Sequence, residues 1–142
     1  MSGLRKGRRL RLAPLDSQGQ EIQRVLDLIS PVYATKHDPK DGAKYEGYCG
    51  AASEAYLHLA GGRDSGLKVM RRTNPDGSSH WWLLGPRGVI DLTLGPADRR
   101  YQQAHPRKTY PYEEGQPAMF RTGYDKSSKR AAAIIELVTS RR

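Results

Sequence analysis

The chain contains little cysteine and no long apolar segment, and each absence excludes a class of protein. Its 142 residues include one cysteine, Cys49, so no internal disulfide can form. No apolar run approaches the ~20 residues of a membrane span, and the N-terminus lacks the apolar stretch of roughly 7 to 15 residues that a secretory signal needs. We therefore expect a soluble, cytoplasmic protein with a reduced thiol and no membrane partner.

Patterns for metal binding and for sequence-specific nucleic-acid recognition are also lacking. One cysteine and four scattered histidines, none of them closely paired, do not supply the ligands of a structural zinc ion. Neither zinc-finger spacing nor the aromatic RNP1 pattern of RNA-binding domains occurs. The sequence predicts a protein that requires no metal and no cofactor.

Positive charge is abundant: the chain has 24 Lys and Arg against 15 Asp and Glu, a net charge of +9. Five of the cations lie close together near the N-terminus: Arg5, Lys6, Arg8, Arg9 and Arg11. We expect residues 1–12 to form a basic arm and residues 13–142 to form one domain, in which about 70% of the chain's surface is buried. The arm either aids solubility or binds a polyanion weakly, because Lys and Arg attract phosphate regardless of sequence.

Apolar residues recur at helical spacing in two segments of the first half of the chain. The first predicted helix is capped by Asp16 or Ser17 and ends at Pro31. The second begins at or just before Cys49 and ends at the glycine pair 61–62. Its small residues fall on one stripe with the cysteine, which lets this helix sit close to a sheet.

The rest of the chain predicts strands followed by helices. We expect a strand in 66–74, a turn in 74–78 and a β-hairpin in 78–94. A short helix with Pro96 in its first turn and a final helix capped by Ser127 or Ser128 follow. Residues 105–125, rich in proline, glycine and aromatics, predict an ordered but irregular segment between them.

The hairpin carries His80 and Asp91, and its register decides whether they meet. If Gly85–Gly88 is the loop, Leu84 pairs with Val89, and His80 and Asp91 lie diagonally on one face. A two-residue loop places them directly opposite each other, whereas a three-residue loop places them on different faces. Two of these three registers allow contact.

The two faces of the hairpin differ in polarity. One face is apolar throughout: Trp81, Leu83, Ile90, Leu92 and Leu94. The other face mixes His80 and Asp91 with apolar residues. We expect the small-residue stripe of the second helix to cover this mixed face and so to bring Cys49 to His80.

A thiol, an imidazole and a carboxylate in a row form a nucleophilic site. A helix N-terminus and a nearby imidazolium both favour the thiolate, which is the nucleophile. In this interpretation Cys49 attacks a carbonyl, His80 protonates the leaving group and Asp91 orients His80. Each residue also has an ordinary structural explanation: Cys49 as a small buried residue, His80 as a core histidine and Asp91 as the cap of a turn.

These residues resemble the papain-like cysteine hydrolase superfamily, in particular its transglutaminase-like branch. Cys49 opens a helix, His80 precedes an aromatic residue on a strand, and Asp91 begins an Asp-x-Thr motif on the next strand. The resemblance covers residues 46–94. It implies an α+β fold in which the helix bearing Cys49 packs on a short antiparallel sheet. It also implies acyl chemistry on an amide or isopeptide bond of a protein or peptide-like substrate, through a thioester.

A second and fainter resemblance extends towards the C-terminus and is to small proteins encoded by bacteriophages. It suggests a phage source, with the host cytoplasm as the location, but implies no activity.

The sequence departs from the papain pattern at the oxyanion hole, because no Gln lies shortly before Cys49. The backbone N–H of Cys49, with Tyr45 or Tyr48, is the expected replacement. Trp82, the loop 37–47 and the segment 105–125 are expected to line the substrate groove. The competing interpretation is a non-catalytic basic module that binds a host protein or nucleic acid.

Overall fold

The computed structural model describes residues 10–34, 48–94, 96–105, 107 and 111–142, and over these ranges the chain has a mixed α+β fold. The helices are α1 (Ser17–Ala34), α2 (Cys49–Leu59), α3 (Pro96–Ala104) and α4 (Lys129–Ser140). The strands are β1 (Lys68–Thr73), β2 (Ser79–Gly85), β3 (Gly88–Ile90) and β4 (Gln116–Pro117). This confirms the predicted α+β class. Within the described ranges, no helix has the length and apolar character needed to cross a membrane.

Side-chain caps and a glycine fix the helix ends largely as predicted. The carboxylate of Asp16 accepts the Gly19 N–H at 2.8 Å at the start of α1, and Ser128 Oγ accepts the Ala131 N–H at 3.2 Å at the start of α4. After α2, Gly61 adopts a left-handed conformation with φ of 114°. These signals lie within one or two turns of the helix ends that they determine, so the sequence alone revealed them.

The predicted end of the first helix at Pro31 is wrong, because α1 continues to Ala34. Proline lacks an N–H and so costs one helical hydrogen bond, but its fixed φ near −65° is itself helical. The chain can therefore remain helical on both sides of Pro31.

The sheet is antiparallel with the strand order β3-β2-β1-β4. Leu84 pairs with Val89, and Gly85 pairs with Gly88. Among the three predicted registers, this is the one that places His80 and Asp91 diagonally on one face. β4 was not predicted; it pairs with β1 through two residues of the segment that was expected to be irregular.

The chain before α1 runs alongside β3. The Val89 N–H donates to the Arg11 carbonyl at 2.7 Å, and the Ala13 N–H donates to the Val89 carbonyl at 2.8 Å. Gly88, with φ of 124°, allows this approach, since a Cβ there would collide with the Arg11 carbonyl oxygen. Leu10 and Leu12 also pack against buried residues. Residues 10–12, which the sequence assigned to the basic arm, thus contact the sheet.

Two apolar clusters lie on opposite faces of the sheet. The main core joins one face to α1, α2 and α4, and its buried members include Leu26, Leu57, Leu83, Leu92 and Ile134. A smaller cluster on the other face contains Met70, Trp82, Val89 and Tyr112.

The prediction that α2 covers the His80 face is wrong. Ala52, Ala55 and Leu57 of α2 belong to the core on the Trp81 and Leu83 face. The reason is that this face is the more apolar of the two, so that burying it against the apolar side of α2 removes more apolar surface from water.

Candidate active site

His80 and Asp91 form a hydrogen-bonded ion pair on the face of the smaller cluster. His80 Nε2 lies 2.8 Å from Asp91 Oδ2. Asp91 follows the last residue of β3, and His80 is the second residue of β2, so the register of the hairpin brings them together. The Asp91 side chain is 1% exposed, whereas that of His80 is 26% exposed. The pair is therefore buried at its carboxylate end and open to solvent at its imidazole end.

The buried carboxylate of Asp91 has further hydrogen-bond donors. The Tyr112 hydroxyl donates to Asp91 Oδ2 at 2.9 Å, and the Thr93 N–H donates to Oδ1 at 3.3 Å. Arg99 of α3 donates to the backbone carbonyl of Asp91. Because a buried charge is costly unless its hydrogen bonds are satisfied, the contacts from Tyr112 and Thr93 favour the ionised carboxylate, while the Arg99 contact holds the backbone at Asp91.

The sulfur of Cys49 approaches this pair past the part of β2 that does not pair with β3. The pairing with β3 stops at Leu83, so the first half of β2 has no partner from that strand. Side chains of α2 occupy the gap: the Cys49 thiol donates to the Ser79 carbonyl at 3.5 Å, and Ser53 Oγ donates to the Trp81 carbonyl at 3.4 Å. Since Cys49 is the first residue of α2, its thiol extends past the strand towards the imidazole of His80 and lies close enough to affect the pKa of that ring.

The contacts of His80 keep its imidazole protonated at neutral pH. Burial alone would lower the pKa of His80, but the hydrogen bonds to Asp91 and to Cys49, together with the charges of these two groups, outweigh burial and raise the pKa to about 10. Nε2 faces Asp91, so Nδ1 is the ring nitrogen left for the thiol.

The same pair keeps Asp91 ionised. Burial alone would raise the pKa of Asp91, but the hydrogen bond and charge of His80, with further hydrogen bonds from Tyr112 and Thr93, hold it below its usual value. The site therefore contains a buried carboxylate and a partly exposed imidazolium next to a thiol.

The N-terminus of α2 adds backbone donors beside the sulfur. No side chain of the described residues caps this helix at Tyr48, and the first internal bond of α2 is donated by the Ala52 N–H to the Tyr48 carbonyl. The N–H groups of Cys49, Gly50 and Ala51 precede that bond and have no carbonyl within the helix to bond. Such groups favour negative charge near the sulfur.

Trp82 does not line an open groove, contrary to the prediction. Its side chain is 0% exposed and lies in the smaller cluster, where its ring meets the Tyr112 ring edge-on at 5.2 Å. The centroid of the indole ring also lies 5.5 Å from the centroid of the His80 imidazole. Since side chains alternate along a strand, Trp82 shares the face of His80 and packs behind it.

Of the two tyrosines predicted as oxyanion donors, the structure describes Tyr48, and it is buried. Tyr48 is 4% exposed and packs in the main core, with the guanidinium of Arg130 5.4 Å from its ring centroid. Burial raises the pKa of Tyr48. Tyr45 and the loop 37–47 lie outside the described residues. The backbone N–H groups at the start of α2 are therefore the donors that the structure offers at the sulfur.

Most of the predicted basic arm also lies outside the described residues, including Arg5, Lys6, Arg8 and Arg9. Arg11 is exposed, and its carbonyl is bonded by β3. Among the described residues, no three His, Cys, Asp or Glu side chains converge as metal ligands.

Sequence reasoning missed two residues that hold the pair, Tyr112 and Arg99. Tyr112 lies in a short 3₁₀ turn of the proline-rich segment, and Arg99 lies on α3. No periodicity or motif links either of them to Asp91, because only the packing of α3 and of the turn at Tyr112 against the sheet brings them there. The one available signal was the aromatic character of that segment, which predicted packing but not the partner.

Comparisons of the chain with protein-family models, with curated proteins and with solved structures found no match. The chemistry of these side chains is therefore the basis for inferring a function.

Proposed function

We propose that this protein is a cysteine-dependent enzyme that cleaves or transfers the acyl group of an amide or isopeptide bond, with Cys49, His80 and Asp91 as its catalytic triad. One observation carries the proposal: the thiol that opens α2 is hydrogen-bonded to the Ser79 carbonyl, next to His80, and the Nε2 atom of the His80 imidazole lies 2.8 Å from a fully buried carboxylate. A nucleophile, a base and an orienting group in contact are the arrangement that nucleophilic catalysis needs.

The proposed reaction begins with an ion pair of thiolate and imidazolium. The sulfur of Cys49 attacks the amide carbonyl carbon, and the negative charge that develops on oxygen is stabilised by N–H groups at the start of α2. The C–N bond then breaks while His80 transfers its proton to the departing nitrogen. This step leaves a thioester on Cys49 and a neutral imidazole.

The second half of the reaction releases the acyl group. Water loses a proton to His80 and attacks the thioester carbonyl, and the C–S bond breaks to give the acid and the thiolate. Water acting on a primary amide amounts to deamidation, whereas an amine in place of water gives acyl transfer. Asp91 keeps the imidazole in one orientation throughout. In this proposal the fold is papain-like, with the transglutaminase-like order of helix, strand and strand.

Alkylation of the thiol by iodoacetamide tests the proposed ion pair. The chain has a single cysteine, so all labelling reports on Cys49. An ordinary thiol with a pKa near 8.5 is only about 0.3% ionised at pH 6. We expect labelling at pH 6 to be about a hundred times faster than for such a thiol, and His80→Gln to remove most of that excess.

Acylation with p-nitrophenyl acetate tests the thioester step. We expect mass spectrometry to detect an acetyl group on Cys49 as p-nitrophenolate is released, and we expect Cys49→Ser and His80→Gln to lose the thioester. Circular dichroism would verify that both variants are folded. If labelling at pH 6 is slow and identical in wild type and His80→Gln, and no acetyl group is found, the triad is inactive and the binding-module interpretation is favoured.

A further inference from the structure

Arg71 is an exposed cation held beside the candidate nucleophile. It pairs with Trp81 across β1 and β2, so both side chains lie on the α2 face of the sheet. Its guanidinium lies 5.6 Å from the Trp81 ring centroid, and its Nε and Nη2 donate to Ser79 Oγ at 2.9 and 2.7 Å. Stacking on an aromatic ring and two hydrogen bonds limit the positions that this long side chain adopts.

The residues that hold Arg71 are also those that touch the start of α2. The carbonyl of Ser79 accepts the thiol of Cys49 at 3.5 Å. The Trp81 ring lies against Gly50, since a Cβ on this glycine would be 3.4 Å from Trp81 Cδ1. Guanidinium, indole and thiol thus surround one short stretch of surface at the beginning of β2.

Arg71 also differs from Arg72 and Arg142 in its charge partners. Arg72 forms an ion pair with Glu114 at 3.1 Å, and Arg142 forms one with Glu21 at 3.2 Å. No carboxylate among the described residues forms such a pair with Arg71, whose contacts are with Ser79 and Trp81. Its positive charge is therefore available to a molecule that binds at the thiol.

We infer that Arg71 and Trp81 form a carboxylate-binding subsite beside Cys49, and that the substrates of the proposed reaction carry a carboxylate close to the amide that is attacked, as an acidic peptide does. This inference rests on the proposed function. A guanidinium binds carboxylates through charge-assisted hydrogen bonds, and the indole provides an apolar surface for the carbon chain beside them.

Two alkylating reagents of nearly equal size test the subsite. Iodoacetate and iodoacetamide both form an S–C bond to Cys49 with loss of iodide, but only iodoacetate carries a carboxylate. The quantity to measure is the ratio of their rates on the full chain. Because Arg71 is exposed, we expect Arg71→Gln to lower the ratio of the iodoacetate rate to the iodoacetamide rate by about threefold to fivefold.

Two control variants separate a local effect from a general one. Arg87→Gln makes the same change of net charge at the opposite end of β2, in the turn between β2 and β3, and should leave the ratio unchanged. Arg71→Lys keeps a positive charge and should retain part of the preference. The dependence on Arg71 should also weaken as salt is added.

The outcomes distinguish this inference from the proposed function. A ratio that is unchanged by Arg71→Gln, or that falls equally in Arg87→Gln, refutes the subsite, and rapid iodoacetamide labelling that depends on His80 would then leave the proposed function standing. If iodoacetamide instead labels Cys49 no faster than an ordinary thiol, the proposed function fails, and the subsite loses the reaction that it would serve.

Discussion

The two faces of the sheet bury different kinds of side chain. On the face covered by α2, the contacts are apolar and join the sheet to three helices. On the other face, four buried residues form a small cluster beside the ion pair of His80 and Asp91. The difference indicates that one face supplies most of the hydrophobic stabilisation, whereas the other holds charged groups that must be satisfied by specific partners. The thiol connects the two faces, since it comes from α2 and extends towards His80 past the part of β2 that does not pair with β3.

The largest expected effects on stability come from one substitution on each face. Leu83→Ala removes a fully buried side chain from the main core and should lower the free energy of unfolding by about 3 kcal/mol. Asp91→Asn should have a similar effect of about 3 kcal/mol, because it breaks the pair with His80. Urea unfolding followed by tryptophan fluorescence measures both losses. A negligible loss in Asp91→Asn would mean that the pair contributes nothing to folding.

The pH dependence of stability should distinguish the two faces. The pKa of His80 is raised from 6.5 to about 10 in the folded protein, so the folded state retains a proton that the unfolded state loses above pH 6.5. The stabilisation from His80 is then complete below pH 6.5 and is lost as the pH rises towards 10. The difference in unfolding free energy between wild type and His80→Gln should shrink over this interval, whereas the loss in Leu83→Ala should stay constant. A difference that grows with pH would contradict the assignment of the charged form.

Adding a methyl group next to each tryptophan of β2 compares the packing of the two faces. A Cβ on Gly115 would collide with the Trp82 indole, so Gly115→Ala should cost about 2 kcal/mol through overpacking. A Cβ on Gly50 would lie at an ordinary 3.4 Å from Trp81 and would replace a glycine within α2. Gly50→Ala should therefore be neutral or stabilising by up to about 1 kcal/mol. Thermal unfolding measures both changes, and equal losses in the two variants would refute the predicted contrast.

The smallest expected effect comes from one hydrogen bond at the ion pair. Tyr112→Phe removes the hydroxyl that donates to Asp91 at 2.9 Å and should cost about 1 kcal/mol at neutral pH. This hydrogen bond helps to hold the pKa of Asp91 below its usual 3.8, so its stabilising effect is present above that value and is lost as the pH falls. Urea unfolding at neutral and acid pH should show the loss shrinking at acid pH. A loss independent of pH would assign Tyr112 to packing alone.

Some features of the fold followed from the sequence because their causes are local. The caps Asp16 and Ser128, the start of α2 at Cys49 and the glycine that ends α2 are each determined within a few residues. The hairpin register also depends on a short loop, and it was correctly included among three alternatives. The exception was Pro31, where a local rule predicted a helix end that the helix passes through.

The candidate site was only partly predictable. Alternation along β2 and β3 indicated that His80 and Asp91 share a face, and the structure has them in contact. The alternation did not indicate which face α2 covers, nor that Trp82 would be buried away from solvent. No sequence pattern indicated that Tyr112 and Arg99 contact Asp91, since they approach it from later parts of the chain.

The sequence by itself determined most of the helices and strands, with the exception of β4, and which residues point the same way along the strands of the hairpin, because backbone propensities, caps and side-chain periodicity act over a few residues. Only the tertiary structure decided which helix packs on which face, and how Cys49 reaches His80 past the gap in the pairing of β2. The reason is physical: the packing of distant segments is chosen by the total apolar surface that they bury and by the hydrogen bonds that they satisfy together. This total depends on segments that are far apart in the chain, so no short stretch of sequence reveals it.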